Sequence, residues 1–411
     1  MGSRLPPGKA LTGGRSKVRR PRPLAKRRPF GASSCRAHCP LDIMKPPEIH
    51  PDIATARSLP GSFHADPRWF EIVRDRVFAR SWQLVAHEDE LPVSGACLPV
   101  TLLQGLLDEP LILTRDGEGT LHALSNVCTH RGALVCEQAA VLPGLRCRYH
   151  GRRFDLGGRL ISAPGFDGVP AFPTEADHLP AVFVATWRKL IFASLSPLFP
   201  LPDLMAGIDA RVGFLPFERA SLDRTRSRDY DVAAGWALYC DNYLEGMHIP
   251  FVHPGLAAAL DARSYRTELW PWGSVQVGAA SGDDGAFELP PGHPDFGQRI
   301  AAYYFWLFPN LMLNVYPWGV SVNIVRPLAV DRTRVSFLSY VWDPALVDKG
   351  ASADLDRVER QDEAVVESVQ RGMRSRLYRG GRYAPRHESG THHFHRLLAG
   401  FLPPAADASP G

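Results

Sequence analysis

Apolar runs broken by turn residues predict a group of β-strands between positions 81 and 195. PLILTRDGEGTLHALSN places two β-prone runs around DGEG, which is a hairpin signal. RRFDLGGRLIS repeats this arrangement with two glycines at its turn, and FVATWRKLIFASL adds a further β-prone run. The pattern therefore predicts a β-rich domain at roughly 81–195.

An apolar stripe at helical spacing covers LDRVERQDEAVVESVQRGMRSRLYRGG, and its predicted end is Gly380–Gly381. The stripe consists of Leu355, Val358, Val365, Val369 and Met373. Asp362 lies at the position that continues this stripe between Val358 and Val365. Burying a carboxylate against a core costs free energy unless the carboxylate contacts a cation. Asp362 is therefore a candidate metal ligand, with a salt bridge to a buried arginine as the alternative. The glutamates predicted to lie on the solvated side are Glu359, Glu363 and Glu367.

The composition is that of a globular chain. Of its 411 residues, 45% are hydrophobic and 22% are charged, which suits about two or three domains. No run of about 18 uncharged apolar residues occurs, so no membrane span is expected. Seven unevenly placed cysteines do not suggest a disulfide scaffold, and we expect a reducing, cytoplasmic location.

The basic residues are concentrated at the N-terminus. Residues 1–41 contain eleven Lys or Arg and no Asp or Glu, so the remaining chain is acidic. The segment 1–46 also lacks a periodic apolar pattern, and we expect it to be disordered. Four interpretations stay open: translation that begins later, at Met44; a solvated tail without a role; an organelle transit peptide; and a nucleic-acid-binding arm.

Two short Cys/His pairs lie in NVCTHRGALVCEQAAVLPGLRCRYHGRRFDL. Cys128-x-His130 is followed by sixteen residues and then by Cys147-x-x-His150. Zinc would accept this ligand set, but zinc fingers usually pair Cys with Cys and His with His. One cysteine and one histidine from each loop instead suit a [2Fe–2S] cluster with two thiolates on one iron and two imidazoles on the other.

The loop chemistry resembles that of the Rieske family. Respiratory-chain Rieske proteins carry an extra cysteine in each loop and join the two by a disulfide. Here Cys136 is the only spare cysteine near the loops, because the second loop reads CRYH. The resemblance therefore does not favour the respiratory role.

A second candidate metal site lies in CDNYLEGMHIPFVHPGL. Pro250 is predicted to end a helix after His248, so that His253 returns from the following turn. Together with a carboxylate such as Asp362, the two histidines would form the facial triad of a non-haem Fe(II) oxygenase. Glu245 is three residues before His248 and is predicted to lie on the same helical face, where it can bond the ring. Two ordinary histidines at a helix end are the alternative.

Together, these motifs and QDEAVVESVQRGMRSRLYRGGRYAPRHESGTHHFHRLL resemble the oxygenase (alpha) component of Rieske non-haem iron oxygenases. CDNYLEGMHIPFVHPGL is most similar to the choline monooxygenase-like branch. The resemblance covers roughly 47–402 and implies an α+β protein. It implies a helical segment at 47–80 that packs on the catalytic domain, a Rieske domain at 81–195, and a catalytic helix-grip domain at 196–405.

The resemblance also implies cofactors and partners. It implies a Rieske [2Fe–2S] cluster, a mononuclear Fe(II), O2 as cosubstrate, and a homotrimer in which Glu245 bridges the two metal centres of neighbouring subunits. Many relatives have Asp at the position of Glu245 and Trp at that of Arg152. His392, His393 and His395 are expected to be structural. No G-x-G-x-x-G follows a predicted strand, so a separate NAD(P)H reductase, with or without a ferredoxin, is implied.

Aromatic residues are dense enough in the second half of the chain to line a substrate pocket. The candidate pocket residues are Tyr304, Trp306, Tyr316 and Trp318. Aromatic faces bind quaternary ammonium groups such as those of choline or a betaine, which would be hydroxylated or N-dealkylated. An aromatic ring-hydroxylating dioxygenase is one alternative, and a Rieske electron carrier with an inactive second domain is another. Neither membrane nor nucleic acid is an expected partner.

Overall fold

The computed structural model describes residues 46–261, 264–281, 285–347 and 355–402. The tail expected at 1–46 therefore lies outside the described residues, apart from its last position. Within the described ranges, no helix combines the length and apolarity needed to cross a membrane.

The described chain has eight α-helices, which lie before, between and after two long series of strands. They are α1 (Gly61–Ala65), α2 (Pro67–Arg76), α3 (Leu201–Val212), α4 (Trp236–Tyr243), α5 (Ile249–Val252), α6 (Pro254–Ala259), α7 (Leu355–Met373) and α8 (Ser389–Phe401). At the start of α2, the Asp66 side chain accepts a hydrogen bond from the Arg68 N–H, while Pro67 occupies the first turn.

The first ten strands form two antiparallel sheets. They are β1 (Gln83–His87), β2 (Ala96–Leu102), β3 (Glu109–Arg115), β4 (Leu121–Ser125), β5 (Ala140–Val141), β6 (Leu145–Arg146), β7 (Arg153–Phe154), β8 (Leu160–Ser162), β9 (Ala181–Trp187) and β10 (Leu190–Ser194). One sheet has the order β1-β10-β9-β4-β3-β2-β5, and the other the order β6-β7-β8. The loop between β4 and β5 and the β6–β7 hairpin carry the two Cys/His pairs.

The second large sheet is also antiparallel, with the order β11-β17-β16-β15-β14-β13-β12. Its strands are β11 (Ser221–Val232), β12 (Arg266–Trp270), β13 (Gly273–Ala279), β14 (Ile300–Leu307), β15 (Leu311–Tyr316), β16 (Gly319–Ala329) and β17 (Arg332–Val341). Every residue of β14 is buried. Alternate side chains point to opposite faces, so both faces are covered. Phe305 contacts Trp270, against which α3 packs, and Trp306 contacts Phe394 of α8.

The N-terminal helices and the two sheet regions pack together. The carbonyl of His64 in α1 accepts a hydrogen bond of 3.0 Å from Gln370 of α7. His87 of β1 stacks on Tyr340 of β17, with ring centroids 5.2 Å apart. The result is an α+β chain in which α7 runs alongside the second sheet.

Two details of the predicted helices are wrong. The helix expected to end at Gly380–Gly381 ends at Met373, and the helix expected to continue to His248 ends at Tyr243. The buried face of α7 is also displaced from the predicted apolar stripe, since Val366 and Gln370 are buried while Val369 is 38% exposed.

Candidate metal centres

The two Cys/His loops have the same backbone geometry. Gly132 donates a hydrogen bond of 3.0 Å to the carbonyl of Cys128, and Gly151 donates one of 3.1 Å to that of Cys147. Both glycines have positive φ angles, 71° and 76°, which glycine adopts without strain. Each cysteine is therefore followed by a tight turn, and the backbone conformations of the two turns are similar.

The four candidate ligands converge between these turns. Cys128 and Cys147 are both buried, and the rings of His130 and His150 have centroids 4.6 Å apart. Burial raises the pKa of the Cys128 thiol, and the neighbouring Cys147 adds to this effect. Nδ1 of His130 is buried without a hydrogen-bond partner in the described chain. Two thiols and two imidazoles with such an unsatisfied nitrogen fit a Rieske cluster.

Arg152 lies two residues after His150 in the sequence, and its side chain is buried, at 3% exposure. Its guanidinium is 4.6 Å from the centroid of Phe166 and donates a hydrogen bond of 3.0 Å to Thr129. Its positive charge acts to lower the pKa of Cys128. The residue that stands where many relatives have Trp is thus a buried cation beside the candidate ligands. Cys136 is buried and forms no disulfide.

His248, His253 and Asp362 meet in the second half of the chain. One ligand atom from each lies within 4.8 Å of the others. Nε2 of His253 is 2.9 Å from Oδ1 of Asp362, and Nε2 of His248 is 3.5 Å from the same oxygen. His248 and His253 flank the one-turn helix α5, and Asp362 lies in the middle of α7.

The outer nitrogen of each imidazole is held by an oxygen. Nδ1 of His253 is 2.9 Å from Oε1 of Gln361, and Nδ1 of His248 is 2.7 Å from Oε1 of Glu245. Burial acts to lower the pKa of His253, but hydrogen bonds with Asp362 and Gln361 outweigh it and raise the pKa. Both Nε2 atoms therefore face Asp362, the arrangement that outer partners impose on histidine metal ligands. This donor set fits a mononuclear iron.

Glu245 makes the predicted contact with His248, but from a turn rather than from a helical face. Its Oε1 bonds the ring, and its Oε2 accepts hydrogen bonds from the backbone N–H groups of Met247 and His248. The carboxylate is 15% exposed. It therefore lies at the edge of the site, held by its own loop.

A cavity of about 100 Å³ adjoins His248, His253 and Asp362. Tyr304 and Tyr316 line it, as predicted for a substrate pocket. Trp306 and Trp318 do not: the first is fully buried, and the second stacks on Tyr316 with centroids 5.4 Å apart. The described lining residues are Tyr239, Asn242, Tyr243, Glu245, His248, Ile249, His253, Leu256, Tyr265, Gln276, Tyr304, Asn314, Tyr316, Ser321, Asn323, Phe337, Leu355, Val358, Glu359 and Asp362.

Glu359 also lines the cavity, and the prediction that it is solvated is wrong. It is 5% exposed, and both of its oxygens accept the hydroxyl of Tyr239 at 2.8 Å. A signal was present in the sequence, because Glu359 is three residues before Asp362 and therefore shares its helical face.

The three histidines of HHFH lie away from this cavity. His395 contacts Asp241 at 2.8 Å and Tyr383 at 2.6 Å, and His392 contacts the carbonyl of His50 at 2.8 Å. These bonds connect α8 to α4 and to the N-terminal segment, which suits the structural role expected of His392 and His395.

Family models match both halves of the chain. The model for the Rieske [2Fe-2S] domain matches residues 81–173, and the model for the ring hydroxylating alpha subunit (catalytic domain) matches residues 219–403. Among curated proteins, choline monooxygenase of Arabidopsis thaliana, a chloroplastic protein, is 32% identical over 85% of each chain. The carnitine monooxygenase oxygenase subunit of Escherichia coli K12 is 30% identical over 87% of this chain and 97% of that protein.

Solved structures share the fold. The quaternary ammonium Rieske monooxygenase CntA in complex with L-carnitine superposes with a TM-score of 0.68 at 25% identity, covering 87% of this chain and all of the other. Naphthalene 1,2-dioxygenase from Rhodococcus sp. reaches a TM-score of 0.64 at 20% identity, covering 86% and 95%, a likeness of fold. The chain therefore belongs to the Rieske non-haem iron oxygenases, as the oxygenase component that contains a Rieske [2Fe–2S] cluster and a mononuclear iron and depends on a separate reductase.

Proposed function

We propose that the chain oxidises a quaternary ammonium compound, such as choline or a betaine, by hydroxylation or N-dealkylation. The observation that carries this proposal is the cavity beside His248, His253 and Asp362. Tyrosines and carboxylates line it, and none of its described lining residues is Lys or Arg. Aromatic faces attract an ammonium group by about 0.5–2 kcal/mol each. The two curated relatives named for choline and carnitine oxidation support the same substrate class.

Each candidate ligand has a role in this proposal. Cys128, His130, Cys147 and His150 hold the cluster, and His248, His253 and Asp362 hold the catalytic iron. When bound, the cluster supplies electrons singly, and the iron supplies coordination positions for dioxygen beside the substrate. Gln361 and Glu245 keep both Nε2 atoms directed inwards. Asn242 donates a hydrogen bond of 2.6 Å to Oδ1 of Asp362 and so orients the carboxylate.

Electron delivery involves two partners in the proposal: an NAD(P)H reductase, with or without a ferredoxin, and a neighbouring copy of the chain. One solved relative is described as revealing inter-subunit electron transfer. We propose a homotrimer in which the exposed His150 of one copy donates a hydrogen bond to Glu245 of the next. Glu245 can accept it, because a carboxylate offers more acceptor positions than its bonds within the loop use. The cytoplasmic location stays a prediction.

Turnover with a surrogate reductase tests the substrate class. Choline, glycine betaine, L-carnitine and simple aromatics would be supplied in turn, and products would be identified by mass spectrometry. Oxidation of an ammonium compound is expected, whereas oxidation of aromatics alone would contradict the proposal and favour ring hydroxylation. Iron content distinguishes an oxygenase of either kind from a Rieske electron carrier, since an oxygenase holds about three irons per chain and a carrier about two.

A further inference from the structure

Among the described residues that line the cavity, Glu359 is the one carboxylate that the proposed metal site does not use. Glu245 bonds His248, and Asp362 faces both candidate histidine ligands. Glu359 lies one turn before Asp362 on α7, is 5% exposed and lines the same cavity. Its described hydrogen bonds come from a single donor, the hydroxyl of Tyr239.

One phenolic proton does not satisfy a buried carboxylate. Two oxygens offer about four acceptor positions, and a buried charge without a cation is costly. Burial raises the pKa of Glu359 well above its usual range, and the nearby Asp362 and Glu363 add to this, although the bond from Tyr239 opposes it. No Lys or Arg is present among the described lining residues. A positive charge placed in the cavity would favour the ionised carboxylate.

The rest of the lining suits the apolar surface of such a cation. Tyr243, Tyr265 and Phe337 add aromatic rings to the cavity that Tyr304 and Tyr316 line. The hydroxyl of Tyr304 is also buried, without a hydrogen-bond partner of good geometry in the described chain. The cavity therefore combines a buried carboxyl group without a Lys or Arg partner among the described lining residues, several aromatic faces, and a tyrosine hydroxyl that can bond a substrate hydroxyl.

We propose that Glu359 is the anionic anchor of the substrate's quaternary ammonium group, and so the residue that selects a cation over a neutral molecule of the same shape. This inference rests on the proposed function and adds a specificity residue to it. Glu359 is assigned no chemical step. Its charge acts at a distance on a methylated ammonium group, which has no N–H to donate.

Choline and 3,3-dimethyl-1-butanol isolate this charge, because the alcohol replaces the ammonium nitrogen of choline with carbon. Binding to the metal-loaded enzyme would be measured by titration calorimetry without oxygen, so that no turnover occurs. The wild type should bind choline at least about tenfold more tightly than the alcohol, or about 1.4 kcal/mol. Equal affinity would overturn the proposal without any variant.

Glu359→Gln keeps an acceptor for Tyr239 and removes only the charge. It should weaken choline binding by at least about tenfold and leave the affinity for the alcohol unchanged. Glu367→Gln is the matched control, because Glu367 lies on the same helix but two turns further along and does not line the cavity; both affinities should stay as in the wild type. An unchanged choline affinity in Glu359→Gln, or an equal loss for both ligands, would overturn the anchor role.

Tyr239→Phe distinguishes the effect of the Glu359 charge from the effect of its hydrogen bond with Tyr239. It removes the hydrogen bond but keeps the carboxylate, so the preference for choline should persist; its loss would show that the contact between α4 and α7 matters instead. Different results contradict the anchor role of Glu359 and the proposed function. An enzyme that oxidises choline but is indifferent to Glu359→Gln refutes the anchor alone, whereas an enzyme that oxidises only aromatics refutes the proposed function as well.

Discussion

The two candidate metal centres of this chain are built in opposite ways. All four candidate ligands of the cluster lie between positions 128 and 150, on two turns with matching glycines. The mononuclear site joins His253 to Asp362 across 109 residues and depends on α5 and α7, which the strands β12 to β17 separate in the sequence. A local motif can thus specify the first centre, whereas the second exists only once the catalytic domain has folded. The two centres should therefore be separable by mutation.

The largest expected effect is at the mononuclear site. His253→Ala removes a proposed ligand whose other nitrogen is held by Gln361. It should lose the mononuclear iron and all turnover but keep the visible Rieske spectrum, because the two Cys/His turns are untouched. Metal analysis and absorption spectra of one preparation would check both expectations. Substrate oxidation retained by this variant would refute the assignment.

The reciprocal variant is Cys147→Ser, which should abolish the Rieske-type EPR signal of the reduced protein. Cys136→Ser is the matched control, since Cys136 is also a buried thiol but bonds the carbonyl of Gln138 instead. Its signal should match that of the wild type. A colourless wild-type protein with stoichiometric zinc would end the cluster assignment altogether.

Glu245→Gln tests the proposed connection between the two centres. Both metals should remain, but reoxidation of the reduced cluster by dioxygen and substrate should slow at least about tenfold, or about 1.4 kcal/mol of barrier. Single-turnover stopped-flow absorbance would measure this rate, and light scattering would establish whether the protein is a trimer. An unchanged rate, or a fully active monomer, would contradict the inter-subunit bridge.

A smaller effect is expected from the charge behind the cluster. Arg152→Gln removes a buried cation and leaves its ion-pair partner Asp177, 3.5 Å away, without that charge. The reduction potential should therefore fall, by on the order of 50 mV for one charge in a partly polar interior. Arg153→Gln is the control, because Arg153 is adjacent but exposed and its charge is screened. Potentiometric titration would follow both variants. Equal shifts in the two would show that burial of the cation is immaterial.

The contrast between the centres also explains what the sequence could predict. The candidate cluster ligands and the candidate His248–His253 pair could be predicted because their spacing along the chain determines much of their geometry. Asp362 was predicted as a candidate ligand from the helical pattern, but the predicted buried face of α7 was wrong, since the buried residues include the polar Glu359 and Gln370. A buried face that is predicted from apolar residues alone leaves out buried polar residues such as these. Glu359 was therefore missed.

The prediction of which aromatic residues line the cavity is partly wrong for a related reason. Tyr304 and Trp306 are two residues apart in β14 and so point to the same face of the sheet. The packing of α8 on Trp306, absent from any local pattern, decides which of them reaches the cavity. Density of aromatic residues predicted a pocket but could not distinguish its lining from the core.

The central claim is that the two centres of this chain act together to oxidise an ammonium compound, and single turnover tests it most directly. Protein reduced beforehand and freed of reductant would be mixed with dioxygen and choline, with the cluster followed by absorbance and the product by mass spectrometry. We expect oxidised choline to form as the cluster is reoxidised, and neither event to occur at that rate in His253→Ala. Rapid reoxidation without any choline product, at the same rate in both proteins, would contradict the claim.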